Sequence, residues 1–124
     1  MALQIAMYRG DDKTFPFTLT QGGVAVDLTG AVVTFSARVA ADFAVDEVPA
    51  IVVTPVTQVA DQPATGKGKV TLTIPDTATV DLEPGLYLCD FEVTEAGEVW
   101  TWPEAVYGQS TLIRLRIKAD VTRP

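Results

Sequence analysis

Histidine is missing from all 124 residues. Its absence removes the commonest general base and the commonest metal ligand, and with them the Ser-His-Asp and Cys-His nucleophile arrangements. Cysteine occurs once, as Cys89, so neither an intrachain disulfide nor a cysteine-based zinc site can form. The core must hold by packing alone, which fits synthesis in a reducing cytoplasm. No run reaches the roughly 18 apolar residues of a membrane span. The opening MALQIAMYRGDDK lacks the basic start and long apolar centre of a secretory leader, so no exported or membrane-bound chain is expected. A phosphate-cradling glycine loop is also missing, because Gly66-Lys67-Gly68-Lys69 opens a strand pattern without P-loop spacing. Bases are scarce: 9 Lys and Arg stand against 16 Asp and Glu, for a net charge of −7. Nucleic acid is therefore a poor partner, since phosphate binding is driven by Lys and Arg.

What is present is a strand-rich chain of domain size. Hydrophobic residues make up 48% and charged residues 20%, enough apolar surface for a real core and too little charge for a disordered chain. Leu3, Ile5 and Met7 alternate with polar or small residues, as do Phe15, Phe17 and Leu19, then Val33, Phe35, Ala37 and Val39. This is the period-2 pattern of strands with one buried face. Pro16 and Pro55 cannot donate to a ladder, so Phe15–Leu19 should lie at a sheet edge or carry a bulge, and Ile51–Val59 reads as an edge strand. Val24–Asp27 reads as a short strand, Leu28-Thr29-Gly30 as a bend, Ala40–Pro49 as a loop with room for a short helix, and Asp61–Gly66 as a polar loop.

The organising stretch runs from Lys67 to Val93. Val70, Leu72 and Ile74 form one strand, and Tyr87, Cys89, Phe91 and Val93 the inward face of the next. Between them Pro75 ends the first strand, Asp76-Thr77 starts a helical turn and Pro84-Gly85 forces a bend. The spacing Glu83-x-Gly85-x-Tyr87-x-Cys89 matches a tyrosine corner, in which the ring packs inward and its hydroxyl bonds upstream backbone. A two-residue hairpin turn at Ala96-Gly97 would place Val93 opposite Trp100 and Phe91 opposite Trp102, so both tryptophans face the core instead of forming a sugar-stacking platform. Pro103–Gly108 reads as a connection, and Thr111, Ile113, Leu115 and Ile117 as a last core strand. The expected fold is an all-β, immunoglobulin-like antiparallel sandwich of about seven to nine strands, a single domain over residues 1–118 with a patternless tail at 119–124.

Charge is unevenly placed. Seven acids and no base lie between Pro75 and Pro103: Asp76, Asp81, Glu83, Asp90, Glu92, Glu95 and Glu98. Arg114, Arg116, Lys118 and Arg123 follow, opposed by Asp120. These four bases are the candidate partner-binding residues, because opposite-sign patches can dock neighbouring copies or another protein. Other candidates are weaker. Cys89 alternates with core residues and reads as a buried apolar group. Glu92 with Glu95 or Glu98 offers a carboxylate pair near a hairpin tip, where acids are usually solvated. Asp11-Asp12 with Asp76 or Asp120 offers oxygen ligands for calcium. Arg9-Gly10-Asp11 matches a short adhesion tripeptide, at a turn where such residues are ordinary. No catalytic, cofactor or metal site is expected.

Taken together, Tyr8-Arg9-Gly10-Asp11-Asp12-Lys13-Thr14-Phe15-Pro16-Phe17, Val26-Asp27-Leu28-Thr29-Gly30-Ala31, Leu82-Glu83-Pro84-Gly85-Leu86-Tyr87-Leu88-Cys89-Asp90 and Ile117-Lys118-Ala119-Asp120-Val121-Thr122-Arg123 resemble the small β-sandwich virion proteins of tailed bacteriophages. They are similar to the N-terminal domain of phage baseplate upper proteins. The resemblance spans most of the chain and implies a non-enzymatic structural component of the virion, present in several copies and contacting itself and other virion proteins. In the baseplate proteins this domain is followed by coiled-coil and further modules. A standalone accessory protein in capsid decoration, neck or tail is the expectation for a sequence that offers one such domain. The rival expectation is a carbohydrate-binding or host-surface adhesion module on the same sandwich, which would show exposed aromatics on one sheet face.

Overall fold

Alternation along β-branched and aromatic stretches forces one face of each strand out of water, and the chain hides those faces by packing two sheets together. A computed structural model describes residues 4–39, 49–103 and 113–119. In chain order the elements are β1 (Gln4–Tyr8), β2 (Lys13–Thr18), β3 (Thr20–Gln21), β4 (Val24–Ala25), β5 (Val32–Val39), β6 (Ile51–Val53), β7 (Thr57–Gln58), β8 (Lys69–Ile74), α1 (Asp76–Thr79), β9 (Gly85–Glu95), β10 (Glu98–Trp102) and β11 (Ile113–Lys118). The large sheet has the order β1-β11-β9-β5-β6, with β10 also paired to β9. The small sheet is β2-β8-β7, and β3 and β4 form a separate ribbon. The protein is an all-β, sandwich-like fold.

The inward faces are those read from the alternation. Val33, Phe35 and Ala37 of β5, Tyr87, Cys89, Phe91 and Val93 of β9, and Ile113, Leu115 and Ile117 of β11 are buried against Val70, Leu72 and Ile74 of β8. Each large apolar side chain so buried contributes about 1.5–3 kcal/mol, so packing holds the fold without a staple. Phe17 crosses between the sheets, its ring 5.0 Å from Phe91 and 6.0 Å from Trp102 in edge-on contacts. The β9–β10 hairpin has the register expected of a turn at Ala96-Gly97, with Trp100 opposite Val93 and Trp102 opposite Phe91. Both tryptophans are partly buried against the core, and the Trp102 indole N–H donates to the Thr20 hydroxyl at 3.2 Å.

Proline decides two edges. Pro16 lies in β2, at the edge of the small sheet. The single interrupted strand expected over Ile51–Val59 is instead two, β6 at the edge of the large sheet and β7 at the edge of the small one. The chain changes sheets at Thr54-Pro55, where proline has no N–H to continue the ladder, and the buried Val56 donates its amide to the Val33 carbonyl at 2.7 Å.

Two details differ from expectation. The sandwich is not purely antiparallel: β1 runs parallel to β11, Gln4 beside Arg114 and Tyr8 beside Lys118. Alternation is blind to strand direction, and no hairpin joins the first strand to the last, so nothing local sets their orientation. The strands number eleven among the described residues: β4 and β7 are two-residue pieces where longer runs were expected, and β3 is a two-residue piece where no strand was expected. The expected Ala40–Pro49 loop, the Pro103–Gly108 connection and the tail lie almost wholly outside the described residues.

Candidate functional site: the outer face of the large sheet

The even-numbered residues of β9 point away from the core, as do the even-numbered residues of β5 and β11 and the odd-numbered residues of β10. Pairing brings them into rows: Arg116 beside Leu86, then Arg114 and Arg38 on either side of Leu88, then Ser36 beside Asp90, then Thr34 and Thr101 flanking Glu92. Arg114, Arg116 and Lys118 are exposed on β11, between β1 and β9. With Leu86, Ala6 and Gln4 they border a groove of about 410 Å³. The Lys118 ammonium lies 5.5 Å from the centroid of the Tyr8 ring, a cation–π contact that follows from the parallel β1–β11 register. Three of the four candidate bases therefore form one basic row. Arg123 lies outside the described residues.

The acids divide. Asp76 lies in α1, with Asp81 and Glu83 just beyond it, while Glu95 and Glu98 face each other at the β9–β10 hairpin tip. Asp90 and Glu92 stand on the outer face itself, sharing a shallow depression of about 220 Å³ with Arg38, Ser36 and Leu88. Asp90 is half-buried there. Burial, and after it the Glu92 charge, pushes its carboxyl above the ordinary carboxylate value, with Arg38 pulling the other way. The acidic and basic stretches of the sequence thus meet on one sheet face, a juxtaposition that neither stretch displays alone.

Other sequence candidates take structural positions. Cys89 is fully buried, and burial pushes its thiol far above the ordinary value. Gly10 of the Arg-Gly-Asp tripeptide is buried at φ 81, donating its amide to the Thr79 hydroxyl at 2.8 Å. The Asp12 carboxylate accepts the Asp76 amide at 2.8 Å and so caps the start of α1 from a distant loop. Glu92 faces Thr101, leaving Glu98 to pair with Glu95. Among the described residues no group of three or more acidic or thiol side chains is placed to hold a metal ion. The adhesion-module alternative calls for exposed aromatics, and among the described residues Tyr8 is the one exposed aromatic ring.

Gln62 is the residue that sequence reasoning missed. It sits in the expected polar loop yet is buried. Its carbonyl oxygen accepts the amides of Leu28 and Gly68, each at 3.1 Å, and its amide nitrogen donates to the carbonyls of Val59 at 3.0 Å and Lys69 at 2.9 Å. A glutamine between turn formers carries no signal of inward orientation, because its partners are set by the fold. Comparison with protein-family models and with curated proteins returns no match.

Proposed function

We propose that the chain is a non-enzymatic structural protein of a tailed-phage virion, in the capsid decoration, neck, tail or baseplate, acting by protein–protein assembly. The observation that carries this reading is the outer face of the large sheet, which carries the exposed Arg114, Arg116 and Lys118 on β11 and, further along β9, Asp90 and Glu92. Charge of both signs on one broad, largely polar surface suits specific docking of another protein more than turnover of a small substrate.

Three of the motifs that carry the phage resemblance support the same reading, since they take scaffolding roles. Gly10 and Asp12 tie the first loop to α1, Asp27 closes the Leu28-Thr29-Gly30 bend, and Tyr87 forms its corner. The last of these also supports an immunoglobulin-like reading of the sandwich. The partners are further copies of this chain and other virion proteins, with neither nucleic acid nor lipid required. No helix of the described residues is long and apolar enough to cross a membrane.

The test follows an epitope-tagged chain, expressed from its own genome, through a density gradient. Co-banding with intact virions in many copies per particle is the expected result. A chain abundant in the lysate and missing from purified particles would overturn the reading.

A further inference from the structure

Followed along β9, the outer face changes sign. Its first half is basic: Lys118 and Arg116 near Leu86, then Arg114 and Arg38 flanking Leu88. Its second half is acidic, with Asp90 and Glu92 on the face. We propose that this face binds a second copy of itself, face to face, about a two-fold axis lying in the interface and perpendicular to the strands, so that Arg114 and Arg116 of each copy meet Asp90 and Glu92 of the other. The inference rests on the assembly reading above and specifies its contact.

The geometry selects the partner. A two-fold interface must be self-complementary. Reversing strand direction across the contact lays each basic half on an acidic half, whereas stacking without reversal would oppose like charges. A uniformly acidic protein would be repelled by Asp90 and Glu92, and a nucleic acid more so. Leu86 and Leu88 lie half-buried within the basic half and supply apolar contact between the charged rows.

Size is sufficient and modest. Five strands spaced about 4.8 Å apart, with about seven residues each at about 3.3 Å, give a face of roughly 24 by 23 Å. Two such faces bury on the order of 1,100 Å², near the lower bound for specific association. The pairing is therefore salt-sensitive and needs high local concentration, which a repeating assembly provides.

Sedimentation equilibrium at low salt tests it with a charge exchange. Arg114→Glu with Arg116→Glu reverses the charge of the β11 row and leaves Arg38 and Lys118 in place, and Asp90→Lys with Glu92→Lys reverses the acidic half. The wild type is expected to dimerise up to millimolar concentration, each variant alone to weaken dimerisation at least tenfold, and their equimolar mixture to form a one-to-one heterodimer. If lysine at the half-buried position 90 prevents folding by circular dichroism, Glu92→Lys alone, at an exposed site, serves as the basic member. A monomeric wild type, variants that dimerise like the wild type, or folded variants that ignore each other would each overturn the proposal. A chain that co-bands with virions yet stays monomeric in solution removes this pairing and leaves the assembly reading standing. A chain that dimerises as described yet is missing from virions does the reverse.

Discussion

The Tyr87 hydroxyl donates to the backbone carbonyl of Glu83 at 2.8 Å, four residues upstream, while its ring lies buried on the inward face of β9. The bond fastens the bend that delivers the chain from α1 into the central strand. Burial, and then the Glu83 charge, pushes the phenol above its ordinary value, so it remains a donor well above neutral pH. Tyr87→Phe keeps the ring and removes the bond. We expect a loss of about 1 kcal/mol, a fall of about 4 °C in Tm, with the strand content by circular dichroism unchanged.

Gln62→Ala should cost far more than its place in a loop suggests. Two amides and two carbonyls lose their partner at once, and buried polar groups left unpaired are expensive. The expected loss is about 3–4 kcal/mol by urea denaturation. Gln58→Ala removes one bond, to the Ala31 carbonyl at 2.8 Å, and serves as the control at about 1 kcal/mol. Equal effects at the two positions would contradict the assignment of Gln62 as a pin.

Glycine is required at position 68 for two separable reasons. Its φ is +74, and a Cβ there would stand 2.5 Å from the Leu19 carbonyl oxygen. Gly30 has a similar φ of +79 with nothing within 4 Å of the added carbon. Gly30→Ala should therefore show backbone strain alone, about 1–2 kcal/mol. Gly68→Ala adds a collision with backbone and should lose about 3 kcal/mol or more in the same denaturation series.

Acid pulls stability in opposite directions at two aspartates. Asp27 is held below its ordinary value of 3.8, first by the Thr29 hydroxyl and then by the Thr29 amide. Its contribution is present above that value and is lost as pH falls through the lowered pKa. Asp90 is raised above 3.8, first by burial, so ionising it opposes folding as pH rises through the raised value. Asp90→Asn should accordingly raise Tm at pH 7 and leave it unchanged at acid pH below both values. Asp27→Asn should lower Tm at pH 7, with that deficit shrinking on acidification. Scanning calorimetry across the acid range checks both signs.

The legible parts of this fold are those governed by local periodicity. The alternation of β5, β8, β9 and β11 marks which side chains are buried, and one assumed turn at Ala96-Gly97 carries both tryptophans to their observed partners. Relationships between distant segments were not legible. The parallel pairing of Gln4 with Arg114 depends on sheet order, and the change of sheet at Pro55 looks, in sequence, like a mere interruption. The candidate site divides the same way. The basic row on β11 follows from alternation alone, whereas its meeting with Asp90 and Glu92 needs the β11–β9 register. Gln62 was invisible because four backbone partners, not its sequence neighbours, define its role.

The central claim is that this protein acts by associating through opposed charges on an exposed sheet face. The most direct measurement is its mass in solution by light scattering over a concentration series reaching the millimolar range, at low and at high salt. The account predicts an oligomer at low salt whose mass falls toward that of the single chain as salt screens the Arg114, Arg116, Asp90 and Glu92 contacts. A monomer of the same mass at both salt concentrations would contradict it.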